Sequence, residues 1–138
     1  MKKTTKHVGI DISKLTFDVA IEKEIGKYTH YKFSNDSQGF KEFLKHLNKQ
    51  TDCCVMEASG PYYLRLASFL NQKSIVVSVI NPLVIRRFSQ MRMMRAKTDK
   101  KDAVMIAEYG KTENPKQWEP EQAYVLELKQ MMAYVDQL

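Results

Sequence analysis

Acidic side chains inside or beside apolar segments constrain the fold of this 138-residue chain more than any other feature. One acid interrupts an alternating apolar stretch, a second ends another stretch, and two more lie three residues apart in a segment of helical spacing. An ionised carboxylate is costly to bury unless a hydrogen bond or a cation compensates its charge. The fold must therefore bring these acids to solvent or to a shared cation; they are Asp11, Glu57, Asp99 and Asp102.

Alternation of apolar and polar residues predicts three short strands at the start of the chain. Val8, Ile10 and Ile12 alternate with Gly9 and Asp11, and similar alternation follows twice more. The short connections between these segments favour an antiparallel meander. The predicted strands cover residues 7–13, 17–22 and 27–33.

Apolar residues at helical spacing predict helices in the remainder of the chain, with two further strands between them. Asn35 or Asp36 would cap the first helix, Asn81 with Pro82 would begin another, and Thr98 would cap a later one. The predicted helices cover residues 37–49, a stretch after 61, 82–91 and a stretch after 98, and the two strands cover 53–56 and 75–80. A proline-containing linker at 114–120 precedes a last predicted helix at 121–138.

This order of elements predicts an α/β fold, with a five-stranded mixed sheet flanked by helices and a C-terminal helical extension. It is the order of the ribonuclease H fold, in which the first strand, the fourth strand and a late helix carry the acids. Asp11, Glu57 and the pair Asp99 and Asp102 occupy those three places. Two divalent cations about 3.5–4 Å apart can clamp the attacking and leaving oxygens of a phosphoryl transfer. The sequence therefore predicts a metal-dependent enzyme domain that acts on nucleic acid.

The charge of the chain favours a polyanionic partner. Its formal net charge is +6 and its sequence pI is about 9.3. A dense run of cations, interleaved with Phe88 and methionines, adjoins the predicted acid site. Such a run is usually a solvated helix face, but phosphate contacts supply most of the affinity for nucleic acid that is independent of sequence. We interpret the run as binding the backbone of DNA or RNA; its members are Arg86, Arg87, Arg92, Arg95, Lys97, Lys100 and Lys101.

The sequence predicts neither a signal peptide nor an apolar run long enough to span a membrane. Cys53 and Cys54 are adjacent in a predicted strand, so their side chains should point to opposite faces. We expect both to be reduced packing residues rather than a disulfide framework. These features predict a cytoplasmic, nucleoid-associated protein with no membrane partner.

Three motifs carry a family resemblance: GIDISK around Asp11, MEASG around Glu57, and AKTDKKDA around Asp99 and Asp102. In this order and separation they resemble the N-terminal RuvC-like domain of insertion sequence 110 family transposases. These are DEDD-type recombinases related to the Piv and MooV invertases. The resemblance runs from about residue 7 to residue 109, and Ser59 stands where threonine is common in the family.

The resemblance implies the function of the four acids and the identity of the partners. Asp11, Glu57, Asp99 and Asp102 would hold two Mg²⁺ or Mn²⁺ ions. The partners would be DNA and a structured guide RNA that bridges target and donor DNA. A helical extension would pair subunits into a homodimer, and a C-terminal domain would carry a catalytic serine. We therefore expect residues 1–112 to be a catalytic domain, residues 113–138 to be a linker and the start of the extension, and this chain alone to lack strand exchange.

Other functions remain compatible with the residues. A Holliday-junction-type or ribonuclease H-type nuclease would use the same acids, with metal-activated water as the nucleophile. A non-catalytic nucleic-acid-binding module would need the cations but not a metal. A sugar-kinase-like or actin-like ATPase lobe would need glycine-rich phosphate loops, and the chain has five glycines and no such loop.

Overall fold

A computed structural model describes residues 5–58, 60–92 and 99–119, with the backbone alone described for residues 99–101. This part of the chain forms a sheet of five strands and four helices. In chain order they are β1 (Lys6–Ile12), β2 (Thr16–Glu24), β3 (Lys27–Ser34), α1 (Ser37–Leu44), β4 (Asp52–Glu57), α2 (Leu64–Gln72), β5 (Val76–Ile80), α3 (Pro82–Met91) and α4 (Asp99–Glu113).

The strands lie in the order β3-β2-β1-β4-β5, so β1 occupies the centre of the sheet. β1 pairs antiparallel with β2, which pairs antiparallel with β3, and this confirms the predicted meander. β1, β4 and β5 are parallel to one another. Their C-terminal ends therefore lie at the same end of the sheet. We call it the acid end, because Asp11 and Glu57 lie there.

Helices cover both faces of the sheet. On one face, β1 and β2 residues such as Ile10 and Phe17 pack with Phe43 of α1 and Leu66 of α2. On the other face, Val55 of β4 belongs to a second cluster that is completed by residues of α3 and α4. We call these the α1/α2 face and the α3/α4 face. Burying a large apolar side chain contributes about 1.5–3 kcal/mol, so the two clusters hold the layers together.

The two cysteines confirm this division of the sheet. Cys54 is fully buried in the cluster on the α1/α2 face, whereas Cys53 packs against the cluster on the α3/α4 face. Both thiols are free. Burial raises the pKa of Cys54, so this sulfur is an inert packing group at neutral pH.

A close contact between α4 and β1 fixes the direction of this helix. The position of a Cβ on Gly9 would overlap the Ala103 carbonyl oxygen and lie 2.6 Å from the Ala107 amide nitrogen. A Cβ on Gly110 would lie 3.2 Å from the His7 ring. Later residues of α4 therefore meet earlier residues of β1, and the helix runs antiparallel to this strand. Its N-terminus points towards the acid end.

The first helix is shorter than the sequence predicts. The predicted range of 37–49 was wrong, because α1 is Ser37–Leu44. Beyond Leu44 the amides of Lys45, His46 and Leu47 each bond to the carbonyl three residues earlier, which tightens the chain into turns. The Asp52 carboxylate then accepts a hydrogen bond from the Asn48 amide at 2.8 Å, and the chain turns into β4. Leu47 still packs on the core, which explains why the apolar spacing continues past the helix.

The segment after α4 covers the outer edge of β5. The Trp118 amide donates to the Val77 carbonyl at 2.7 Å, and its side chain packs against the cluster on the α1/α2 face. Trp118 thereby anchors the linker to the core. The predicted cap at Thr98 and the predicted C-terminal helix lie outside the described residues. No helix among the described residues is long and apolar enough to cross a membrane.

Substitution of Gly9 by alanine tests the contact between α4 and β1. Because the new methyl group would meet helix backbone, we expect Gly9→Ala to lower the free energy of unfolding by roughly 2 kcal/mol or more. The measurement is the midpoint of urea unfolding. Gly26→Asn is the control, since a Cβ at Gly26 meets nothing within 4 Å and asparagine tolerates its positive φ of 78°. Equal midpoints for Gly9→Ala and the wild type would contradict this close approach.

Candidate active site at the acid end of the sheet

The strand register places Asp11 and Glu57 side by side. Ile10 pairs with Met56 in the parallel ladder of β1 and β4, and the next residue on each strand is the acid. Ile10 and Met56 are fully buried on the α1/α2 face, so the alternation of side chains directs both acids to the α3/α4 face. Neighbouring strands lie about 4.8 Å apart, which brings the two carboxylates within reach of one ion.

Helix α4 brings the other two acids towards the same place. Asp102 precedes Ala103, whose carbonyl oxygen lies over Gly9, two residues before Asp11. The side chain of Asp102 is partly buried. Asp99 is the first residue of α4, almost one turn further towards the acid end, and its side chain is outside the described part of the structure. The structure thus brings Asp11, Glu57 and Asp102 to one end and one face of the sheet.

The described side chains do not form a closed metal-binding cluster. No three of the described His, Cys, Asp and Glu side chains form a group that could hold a metal ion. The predicted fourth ligand, Asp99, is not among those side chains. The donor set still fits Mg²⁺ or Mn²⁺, since hard divalent cations prefer carboxylate oxygens. His7 lies at the opposite end of β1 from Asp11.

A fifth carboxylate lies beside the site. Asp18 of β2 is the register partner of Asp11, so its side chain emerges on the same face. Only 17% of this side chain is exposed, and its carboxylate lies 3.8 Å from the ammonium of Lys32, its register partner on β3. Asp18 is not among the four acids that the sequence predicts as metal ligands. The hairpin register reveals its place, because the Ser13 amide donates to the Thr16 carbonyl across the turn, so that position 12 pairs with 17 and position 11 with 18.

Two polar contacts hold α4 on the meander. The Tyr28 hydroxyl donates to the Glu108 carboxylate at 2.6 Å, and Lys111 lies 3.1 Å from the Glu22 carboxylate. Burial, and then the bond to Glu108, raise the pKa of Tyr28, so it stays a hydrogen-bond donor. Burial favours a higher pKa for Glu22, but bonds from the Gly26 amide and Lys111 outweigh it and hold the pKa below its usual range. Both contacts fix the position along β1 at which α4 presents Asp102.

The predicted nucleic-acid-binding residues divide into groups. Arg86 and Arg87 are exposed on α3. The Arg92 guanidinium lies 4.9 Å from the centre of the Phe88 ring and donates to the Thr112 hydroxyl at 3.0 Å, at the end of α4 away from the acids. Arg92 therefore packs α3 against α4. Arg95 and Lys97 lie outside the described residues, and Lys100 and Lys101 lie in the first turn of α4 with only their backbone described.

Asn35 braces two loops at the acid end. Its side-chain amide donates to the Ser13 carbonyl at 3.0 Å and to the Tyr62 carbonyl at 3.3 Å. Its backbone amide donates to the Leu15 carbonyl at 2.8 Å. The turn between β1 and β2 is thereby tied to the loop that follows β4, and both loops flank the carboxylates. Sequence reasoning considered Asn35 as a helix cap, a position that Asp36 occupies in the structure.

Comparison with known proteins gives a family and a fold. Residues 8–138 match the transposase family of the DEDD type from insertion sequence 110. The pilin gene-inverting proteins of Moraxella bovis and Moraxella lacunata are each 38% identical to the chain over 125 residues. That alignment covers 87% of this chain and 38% of each relative, so the chain spans less than half the length of these relatives.

Solved structures of RuvC are similar in fold. A Thermus thermophilus RuvC structure superimposes with a TM-score of 0.56, and T. thermophilus RuvC in complex with a Holliday junction substrate superimposes with a TM-score of 0.55. Each comparison covers 83% of this chain and at least 99% of the other, at 11% sequence identity. The likeness confirms the predicted ribonuclease H-like, RuvC-like sheet.

The pKa of Glu22 predicts how the contact between α4 and the meander depends on pH. A carboxyl whose pKa is lower in the folded state stabilises the protein above its unfolded pKa, and this stabilisation is lost as pH falls through the folded pKa. We therefore expect Glu22→Gln to be less stable than the wild type at pH 7, by about 1 kcal/mol or less, and the difference to shrink below about pH 4.5. The measurement is urea unfolding at several pH values between 7 and 3.

A neighbouring carboxylate provides the control for this experiment. Glu24 forms an exposed pair with Lys27 at 3.5 Å, with 73% of its side chain in solvent. Glu24→Gln should therefore leave the pH dependence of the wild type almost unchanged. A Glu22→Gln variant whose stability differs from the wild type by the same amount at every pH would contradict the assignment.

Proposed function

Because the chain belongs to the DEDD transposase family of insertion sequence 110, we propose that it is the carboxylate-bearing catalytic domain of a DNA recombinase. Its reaction would be the breaking and rejoining of DNA strands. The observation that carries the proposal is the meeting of Asp11, Glu57 and the start of α4 at one end of the sheet. These residues come from three parts of the sequence, and the sheet and the helix bring them together.

The electrostatic cost of this arrangement supports a functional role. Asp11 lies beside Glu57 on one strand and opposite Asp18 on the other. Like charges at neighbouring positions of a sheet destabilise it. Nothing in the packing of the sheet requires acids there, since β-branched or aromatic residues suit central strands better. Binding of a divalent cation between the carboxylates would remove the repulsion.

We propose that Asp11, Glu57, Asp99 and Asp102 hold two Mg²⁺ or Mn²⁺ ions. Bound ions of this kind polarise a phosphate and stabilise negative charge on the leaving oxygen. The chain's own contribution is to hold its ligands in place. Hydrogen bonds within the sheet fix Asp11 and Glu57 relative to each other, and the close contact at Gly9 fixes α4 above them.

Cations of the α3/α4 layer would bind the nucleic-acid backbone. Arg86 and Arg87 are exposed on the helix that follows directly from the acid end, and Lys100 and Lys101 lie in the first turn of α4. Phosphate contacts carry no sequence information. The same surface would therefore accept DNA or the guide RNA that the family resemblance implies. We propose backbone binding by this group rather than by Arg92, which packs on Phe88.

Metal-linked stability tests the carboxylate site. Binding to the folded state alone stabilises it by mass action, so Mn²⁺ at about ten times its dissociation constant should raise the Tm by roughly 3–8 °C. Asp11→Asn and Glu57→Gln should each remove most of this rise. Glu42→Gln is the control, because Glu42 is an exposed acid on α1, on the opposite face of the sheet. An unchanged wild-type Tm in millimolar Mn²⁺ would contradict the proposed site.

Salt dependence of DNA binding tests the cations of α3. Each neutralised phosphate contributes about 0.9 to the slope of log K against log salt concentration. The double variant Arg86→Ala, Arg87→Ala should therefore lower the slope by up to about 1.8 and weaken binding equally for unrelated duplexes. The control is Lys41→Ala, Lys45→Ala on the opposite face. If the double variant lost affinity for some sequences and not others, these arginines would read bases.

A hydrolytic nuclease is the second candidate, favoured by the RuvC-like sheet and by acids that would serve either reaction. Labelled duplex and branched DNA, incubated with the chain and Mg²⁺ and separated on a denaturing gel, distinguish the two. The family resemblance places the nucleophilic serine in a second domain, so the recombinase proposal expects little nicking by residues 1–138. Strong metal-dependent nicking that Asp102→Asn abolishes would favour the nuclease.

A further inference from the structure

Exposed apolar side chains surround the acid end. Leu15 is 74% exposed, Tyr62 42%, Leu83 48% and Val84 39%. Large apolar side chains scattered singly over a surface need no explanation, but a group at one place marks an interaction site. We call these four residues the apolar rim.

The rim is assembled from three separate loops. Leu15 lies in the turn after β1, Tyr62 in the loop after β4, and Leu83 and Val84 in the first turn of α3 after β5. These three strands are neighbours and end at the acid end, so the first and last of the three loops lie about 10 Å apart. The hydrogen bonds of Asn35 hold the first two loops together. The order of the strands therefore brings the apolar rim together at the acid end.

Cations accompany the apolar side chains. Lys14 is exposed next to Leu15, and Arg86 and Arg87 are exposed within one turn of Leu83 and Val84. A surface that pairs apolar contacts with positive charge suits a ligand with apolar faces on an anionic backbone. Nucleobases expose such faces once they leave the base stack, and their phosphates lie within a few ångströms of them.

We propose that the apolar rim contacts unstacked nucleobases of a DNA strand whose phosphate lies at the carboxylates, so that the protein selects unpaired or distorted DNA over intact duplex. The inference rests on the proposed function, because it takes DNA to be the ligand of the acid end. Apolar side chains that enter a base step part the bases and kink the duplex. A site already unpaired spares the protein that cost and binds more tightly.

A lipid surface would also offer apolar and anionic groups. The rim, however, adjoins Asp11 and Glu57, which would repel anionic headgroups and cannot enter an apolar layer at low cost. DNA would not meet this obstacle, because divalent cations held by these carboxylates would compensate the negative charge of its phosphates. We therefore assign the rim to DNA, and vesicles enter the test as the alternative.

The test uses 2-aminopurine, a base whose fluorescence rises when it leaves the stack. The 138-residue chain is titrated with a duplex that carries this base beside a two-nucleotide bulge, and with the same duplex without the bulge. The wild type should raise the fluorescence and prefer the bulged duplex by roughly tenfold or more. Leu15→Ser with Leu83→Ser should lose both the rise and the preference.

Ile25 provides a matched control. It is 93% exposed in the turn between β2 and β3, at the opposite end of the sheet, so Ile25→Ser removes a large exposed apolar side chain away from the rim. This variant should keep the fluorescence rise and the preference. All variants are polar replacements of exposed residues, which leaves the core unchanged and allows the fold to be checked by its urea midpoint.

The outcomes separate this inference from the proposed function. Equal affinity of the wild type for both duplexes, or an unchanged preference in the double variant, would overturn the inference. If Mn²⁺ still raised the Tm in that case, the metal-binding domain would stand and the rim proposal alone would fail. Absence of both DNA binding and the Mn²⁺ effect would overturn the two together. Binding of the wild type to anionic phosphatidylserine vesicles, lost in the double variant, would reassign the rim to a membrane surface.

Discussion

The contact between helix α4 and the central strand is the constraint on which the site depends. With no side chain at Gly9, the backbone of α4 approaches β1 closely at Ala103 and Ala107. Gly110 allows a second close approach to His7 and Val55. Together the two contacts set both the direction and the position of the helix. Because Asp102 directly precedes Ala103, the close packing at Gly9 sets how far Asp102 lies from Asp11 and Glu57.

The carboxylates illustrate how a fold tolerates charge that its packing does not need. Asp11 has acids at both neighbouring register positions, Glu57 on β4 and Asp18 on β2. Lys32 continues the same row on β3 and lies 3.8 Å from Asp18. Such a lateral ion pair, with the lysine more than half exposed, contributes little to stability. It does place a compensating charge at one end of this row of carboxylates.

The sequence predicted the five strands of the sheet, because each strand depends on a local pattern of residues. Alternation in residues 7–33 predicted the meander, and the apolar residues before Asp11 and Glu57 predicted the strands that carry these acids. Contacts between segments that are distant in the chain do not follow from such local patterns. The length of α1 depends on Asp52 turning the chain, and the role of Arg92 depends on Phe88 and Thr112. The sequence did not single out Asp18, because its place beside Asp11 arises from strand register rather than from its neighbours in sequence.

The two edges of the sheet are protected from aggregation in different ways. Along β5, the covering segment donates the Trp118 amide to the Val77 carbonyl and accepts a bond from Ser78 at Pro115. In the described part of the chain β3 has no such cover, and an uncovered edge strand invites pairing with another chain. Its exposed Lys27 and Lys32 place positive charge along that edge. Lysine on an uncovered edge strand is one way in which proteins discourage pairing with another chain, so two copies are less prone to join through β3.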